Sequence, residues 1–162
     1  MLVLRVATGT ALLSHGYPKL FGGEGRRAPA ALQRLYGDNF QKSVEAGGHE
    51  RLVQALGHMG VPQPRAAAVA AGVAEFGGGL ALIAGFKTRL AALGIIVTML
   101  VAIRKAHWIT GFSGQGGFEL AFMDLVAATT LRLAGPGALS LDERFGMQGL
   151  TQRKSKNKTT AA

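Results

Sequence analysis

The sequence predicts an all-α fold: a four-helix transmembrane bundle with a long polar loop between its first and second helices. Four apolar stretches, near residues 1–20, 65–86, 89–105 and 117–134, support this prediction. The chain has 24 glycines in 162 residues, and small residues allow the close backbone approach typical of membrane helices. The second and third stretches have almost no charged face, which the helices of a soluble four-helix protein would need.

Composition excludes several classes of function. The chain has no Cys, so it forms no disulfide, dithiol redox centre or thiolate metal site of its own. No metal is expected, because the His and carboxylate residues lack a ligand pair at helical spacing. The net charge is +9, but many bases flank apolar segments or lie in the tail 153–158, which indicates contact with membrane lipid rather than nucleic acid.

The first stretch is about as long as a bilayer core is thick, and it contains three bases. Arg5, His15 and Lys19 fall on one stripe of a helix, within an arc of about 80°. Pro18 is predicted to end or kink this helix near residues 14–17. Lys19 would then lie at the interface, where snorkelling to the headgroups is the alternative to a functional role.

Because Tyr17, Pro18 and Lys19 stand where a cleavage site would lie, no cleaved signal peptide is expected.

The polar loop 22–64 contains one amphipathic pattern. Residues 49–59 place Leu52, Val53, Leu56 and Met59 on one side of a predicted helix. This helix is expected to lie on the membrane surface or to cap the bundle.

The second span carries a single charge, Glu75, about 15 Å along the helix from Arg65 and so near mid-membrane. A carboxylate at that depth is expected to be protonated or paired with a base. Its neighbours Ala67, Ala71 and Gly79 form a ridge of small residues, which predicts that Glu75 faces the bundle.

The third and fourth spans are joined by a Gly-rich loop at 104–117, and Trp108 in it is expected to be an interfacial anchor. Glu119 and Asp124 lie about 140° apart on the fourth helix, so we expect them to face different partners.

The membrane domain is predicted to cover residues 1–140, followed by a basic, disordered tail at 141–162. Four spans put both termini on one side, and the basic 87–89 turn and tail favour the cytoplasm.

This topology brings most ionisable groups of the spans toward one membrane side and predicts a polar site there. The expected catalytic candidates are His15, Glu75, His107 and Glu119, and the expected substrate-binding candidates are Arg5, Lys19 and Asp124.

The sequence resembles the DoxX family of small four-helix membrane proteins. The resemblance is carried, in order, by Arg5…Gly9…His15-Gly16…Lys19-Leu20-Phe21, Gly60-Val61-Pro62, Glu75-Phe76-Gly77-Gly78 through Thr88-Arg89, His107…Gly111-Phe112…Gly117-Phe118-Glu119, and Gly135-Pro136-Gly137. The loop from Glu24 to about Gly57 lies outside it. The resemblance implies a redox role in the cell membrane, either in a thiosulfate:quinone oxidoreductase or as a membrane partner of redox enzymes.

Two functional hypotheses follow. In the first, the protein is a quinone-linked oxidoreductase subunit that holds a quinone at the polar site and has no other cofactor in the chain. In the second, it is a non-enzymatic scaffold that recruits a soluble redox enzyme through the loop or tail, and Arg5–Glu75 is a structural ion pair. A small transporter is less favoured, because no inverted repeat is evident.

Overall fold

A computed structural model describes residues 1–146, which contain helices and no strand. The helices, numbered here in chain order, are α1 (Leu2–Phe21), α2 (Ala30–Tyr36), α3 (Asp38–Ala46), α4 (His49–His58), α5 (Pro64–Ala84), α6 (Thr88–Thr110), α7 (Glu119–Ala134) and α8 (Leu141–Arg144). Two of them are interrupted by π-helical turns, Val73–Gly77 in α5 and Ala102–His107 in α6. The all-α prediction is therefore confirmed for the described residues.

Within residues 1–146, two helices are long and apolar enough to cross a membrane, α5 and α6. They are joined by a tight turn at residues 85–87, as expected for antiparallel neighbours. Helix α1 packs along α5, and α7 packs along α6. The main core lies among these four helices and is formed by Leu12, Leu82, Ala92, Ile95, Met99, Ala128 and Leu131.

Glycines set the distance between α1 and α5. A Cβ atom on Gly9 would lie 2.6 Å from the carbonyl oxygen of Gly79, and one on Gly79 would lie 2.8 Å from that of Gly9. Gly16 is packed equally closely against the backbone of Glu75 and Phe76. The two helices are therefore in backbone contact and antiparallel, and their register is fixed at two points.

Of the two effects predicted for Pro18, an end or a kink of helix α1, the end does not occur. The helix continues to Phe21 with Pro18 inside it. The carbonyl oxygen of Pro18 accepts hydrogen bonds from Gly22 N–H at 3.0 Å and from Gly48 N–H at 2.9 Å. These bonds anchor the last turn to the following loop, and they keep Lys19 on the helix rather than beyond it.

The segment between α1 and α5 is not the predicted polar loop with one helix but a layer of three helices, α2, α3 and α4. Phe40 and Val44 of α3 are buried with Ala28 in a second, smaller core that also contacts Tyr17 of α1. The Tyr36 hydroxyl donates a hydrogen bond to the Thr10 carbonyl at 2.8 Å, and burial raises the pKa of Tyr36. The amphipathic α4 packs against α5, so it caps the bundle.

The chain after α7 folds back onto the bundle, which differs from the boundary predicted at residue 141. Both carboxylate oxygens of Asp142 accept hydrogen bonds from the backbone, one from Lys87 N–H at 2.6 Å and one from Thr88 N–H at 2.8 Å. Asp142 N–H donates to the Gly85 carbonyl at 2.8 Å, and Asp142 is buried. Residues 141–146 are thus part of the folded domain, and the rest of the predicted tail, 147–162, lies outside the described residues.

Candidate functional site

A cavity of about 280 Å³ lies among α1, α5, α6 and α7, and six of the seven predicted site residues line it. Below we call it the polar cavity. Helix α1 contributes one wall, the two π-helical turns contribute a second, and the loop 111–118 closes one end. The six residues are His15, Lys19, Glu75, His107, Glu119 and Asp124.

The centre of the polar cavity is an ion pair between Lys19 and Glu75. Both carboxylate oxygens of Glu75 accept hydrogen bonds from Lys19 Nζ. Glu75 is 2% exposed, whereas the Lys19 side chain is 30% exposed. An ammonium group has three donors, so Lys19 retains one that can reach a ligand. Lys19 therefore supplies the base that the sequence required for Glu75, and its ammonium group is held at that carboxylate.

Arg5 is the one candidate that the structure places elsewhere. It is fully buried at the opposite end of α1, where Nη2 donates to the Leu139 carbonyl at 2.9 Å. A Cβ atom on Gly85 would overlap its guanidinium. The Arg5–Glu75 pair of the scaffold hypothesis does not form, because the two residues lie at different depths. Arg5 is fourteen residues, about 21 Å of helix, before Lys19.

The two π-helical turns lie where α5 and α6 meet the cavity. Glu75 is the central residue of Val73–Gly77, and His107 is the last residue of Ala102–His107. A π-helical turn holds one more residue than a regular turn, changes the direction of the side chains after it, and is frequent at functional sites. The glycines after Glu75 are the only sequence signal for the first turn, and the second has none that we recognise.

The Gly-rich loop holds His107 in one tautomer. His107 Nδ1 lies 2.8 Å from the Gly116 carbonyl oxygen, which can only accept a hydrogen bond. Nδ1 therefore carries the proton in the neutral ring, and Nε2 is left as an acceptor. The loop itself is closed by bonds from Phe118 N–H to the Gly111 carbonyl and from Glu119 N–H to the Phe112 carbonyl.

Glu119 and Asp124 line the same cavity, although they lie about 140° apart around the helix axis. Glu119 is the first residue of α7, and Leu120 and Ala121 also line the cavity. The cavity therefore extends around more than one face of this helix. The angle of about 140° between Glu119 and Asp124 is measured around the axis of α7. It does not prevent both residues from lining one cavity, because the cavity extends along more than one face of the helix.

Trp108 lies beside the cavity and is 58% exposed. Its ring stacks on Phe118, with centroids 5.7 Å apart and planes 12° apart. Phe118 also contacts Phe112 edge-on, at 5.2 Å. An exposed aromatic cluster at the end of an apolar helix suits the membrane–water boundary.

The cavity combines groups of complementary chemistry within a small volume. Lys19 provides a cationic donor, His107 provides a donor and an acceptor, and His15, Glu119 and Asp124 add groups that exchange protons. This set can bind a small molecule through oxygen acceptors and can transfer protons to it. Ionisable groups that converge on a cavity between apolar helices mark a functional site in a membrane protein rather than a plain anchor.

Comparison with known proteins assigns the family. The DoxX family model matches residues 1–108, and the chain belongs to the DoxX family of membrane proteins. It is also similar to the inner membrane protein YphA of Escherichia coli (strain K12), with 29% identity over 150 residues that cover 89% of each chain. No solved structure matches the chain. The resemblance seen in the sequence is thus confirmed.

Proposed function

We propose that the protein crosses the cell membrane four times and binds a quinone in the polar cavity as a redox-associated subunit. Four crossings would be made by α1, α5, α6 and α7, with both termini in the cytoplasm. Helices α5 and α6 have the length and apolarity that this requires. Helices α1 and α7 pack directly on them, and the bases that shorten the apolar run of α1 are either buried, as Arg5 is, or line the polar cavity, as His15 and Lys19 do.

The observation that carries the quinone proposal is the composition of the polar cavity. A quinone head has two carbonyl oxygens, and its reduction takes up two electrons and two protons to give a quinol with two hydroxyl groups. Lys19 would donate a hydrogen bond to a carbonyl oxygen, and its positive charge would stabilise a developing anion. His107 or His15 would deliver protons, and Glu75 and Glu119 would orient these groups.

The electrons must come from a second protein or from a reduced small molecule. The chain has no Cys, so it offers no dithiol as a donor. A soluble redox enzyme docked at the membrane surface is the partner that this requirement indicates. The chain would then hold the quinone, exclude water from it and manage its protons.

Purification in mild detergent followed by mass spectrometry tests the proposal. We expect quinone and a redox enzyme to co-purify with the full-length protein. His15→Gln and Glu75→Gln should each lower the bound quinone severalfold, whereas His58→Gln and Glu143→Gln, on exposed residues outside the cavity, should leave it unchanged. Absence of quinone from the wild-type protein, together with an unaltered redox phenotype in both cavity variants, would refute it.

A further inference from the structure

A second cavity, of about 360 Å³, lies against the polar cavity on the outer side of α5 and α6. Its lining is apolar except for five residues. Three of these, Lys19, Glu75 and His107, also line the polar cavity, and the other two are Thr98 and the exposed Lys105. The Lys19–Glu75 ion pair and His107 therefore lie at the junction of two spaces of opposite character. We call the second space the apolar cavity.

Helix α4 forms one wall of the apolar cavity. The apolar side of this helix, with Leu52, Leu56 and Met59, faces the cavity rather than a closed core. Ala67 and Ala71 of α5 form the wall beside it, and their small side chains leave the space open. The ridge of small residues around Glu75 therefore has two roles. Gly79 packs against α1, and Ala67 and Ala71 border the apolar cavity.

The apolar cavity opens toward the outer surface of α6. Val97 and Val101 line it and are 55% and 40% exposed. Both lie in one of the two helices that are apolar enough to cross a membrane. In a bilayer their exposed faces contact acyl chains, so a ligand dissolved in the hydrocarbon would reach the cavity from the side.

We infer that the apolar cavity holds the hydrocarbon tail of a membrane-dissolved ligand whose head group occupies the polar cavity, an inference that rests on the proposed quinone function. Its volume falls in the range of small-molecule sites, and its lining away from the junction is apolar except for Lys105 and for Thr98, whose hydroxyl donates to the Gly94 carbonyl. A head group at the junction would contact Lys19 and His107, and a tail would leave along Ala71 and Ala67. The substrate class is then a long-tailed quinone rather than a water-soluble one.

The chain provides its own reporter for a test. Trp108 is its single tryptophan and follows His107, which lines both cavities. Quenching of its fluorescence measures the binding of two probes with the same head group: 2,3-dimethoxy-5-methyl-1,4-benzoquinone, which has no tail, and its derivative with a decyl tail. Full-length protein in one detergent is used throughout. We expect the decyl probe to bind about tenfold more tightly than the tail-less probe. This gain is smaller than the gain for transfer of a decyl chain from water, because the tail enters the cavity from a detergent micelle.

A matched pair of variants separates the cavity from the micelle. Ala67 lines the apolar cavity and its neighbour Ala66 is exposed outside it, so Ala67→Phe fills the cavity and Ala66→Phe does not. Ala67→Phe should remove the tenfold preference and leave the affinity for the tail-less probe unchanged. Ala66→Phe should leave both affinities at the wild-type value, and unchanged binding of the tail-less probe shows that each variant is folded.

The outcomes distinguish this inference from the proposed function. The inference is overturned, and quinone binding stands, if the tail-less probe binds and either of two results is found. The decyl probe binds the wild type no more tightly than the tail-less probe, or its higher affinity persists in Ala67→Phe. A second outcome also overturns the inference. If added phosphatidylglycerol removes the decyl probe's higher affinity without changing the binding of the tail-less probe, and if one phosphatidylglycerol molecule co-purifies with each chain, the cavity is a lipid site. If neither probe binds, the proposed function fails.

Discussion

At the scale of single residues, Lys19 and Glu75 form an ion pair between two helices of a membrane protein. Burying either charge without a partner would be costly, and each charge is the partner of the other. Removing one partner leaves the other uncompensated, which costs far more than the pair itself contributes. The pair is therefore a structural requirement as well as the centre of the proposed quinone site.

A double-mutant cycle tests this coupling. Lys19→Met should lower the free energy of unfolding by about 2 kcal/mol. This loss is smaller than the usual cost of breaking a buried ion pair, because the Lys19 side chain is 30% exposed. Adding Glu75→Gln should restore most of the loss, since no charge then remains buried without a partner. Thermal unfolding in detergent measures both effects. Lys42→Met, on an exposed lysine of α3, is the control, and additive effects of the two substitutions would contradict the coupling.

At the scale of elements, the contact between α1 and α5 depends on glycine. Gly9→Ala places a methyl group 2.6 Å from the Gly79 carbonyl oxygen, so the helices must separate. Overpacking of this kind lowers the free energy of unfolding by about 1–3 kcal/mol. Gly57→Ala is the matched control, because Gly57 lies in α4 with nothing within 4 Å of its Cβ position.

The two substitutions should shift the unfolding temperature in opposite directions. Ala is a better helix former than Gly by about 1 kcal/mol, so Gly57→Ala should raise it slightly. Gly9→Ala should lower it, and should also reduce quinone binding if the displaced α1 carries His15 and Lys19 away from Glu75. An unchanged unfolding temperature in Gly9→Ala would show that the two backbones are not in contact.

The segment after α7 determines how α6 begins. Asp142 accepts hydrogen bonds from two N–H groups at the start of this helix, which would otherwise be unpaired. Asp142→Ala should lower the free energy of unfolding by about 1–2 kcal/mol. The neighbouring Glu143 is exposed, and Glu143→Ala should change the unfolding temperature little. Equal effects of the two substitutions would exclude this role for Asp142.

At the scale of the whole molecule, both cavities and all four main helices lie within residues 1–146. The basic residues 153–158 are outside this part, and the scaffold hypothesis assigns partner docking either to this tail or to the loop between α1 and α5. Deleting residues 153–162 should therefore leave the unfolding temperature and quinone binding at the wild-type values. Loss of the co-purifying redox enzyme in the same sample would locate docking in the tail, and unchanged recovery would exclude it.

The sequence by itself determined the four main helices and α4, together with the ionisable residues that they carry, but it did not predict α2, α3 or α8. Helical periodicity also assigned Glu75 to the face that packs, because small residues recur around it every fourth position. The predicted end of α1 at Pro18 was wrong, and the last turn is held by hydrogen bonds that the Pro18 carbonyl accepts from Gly22 and from Gly48, which is thirty residues away. Periodicity describes one helix axis and contains no information on such distant bonds.

Only the tertiary structure decided which base pairs with Glu75. Arg5 and Lys19 share one stripe of α1, and their positions relative to α5 depend on how far the two helices slide along each other. The contacts of Gly9 with Gly79 and of Gly16 with Phe76 fix that register, and they bring Lys19 to Glu75 and Arg5 to Gly85. The apolar cavity and the Asp142 contact arise in the same way, from packing between segments that are far apart in the chain.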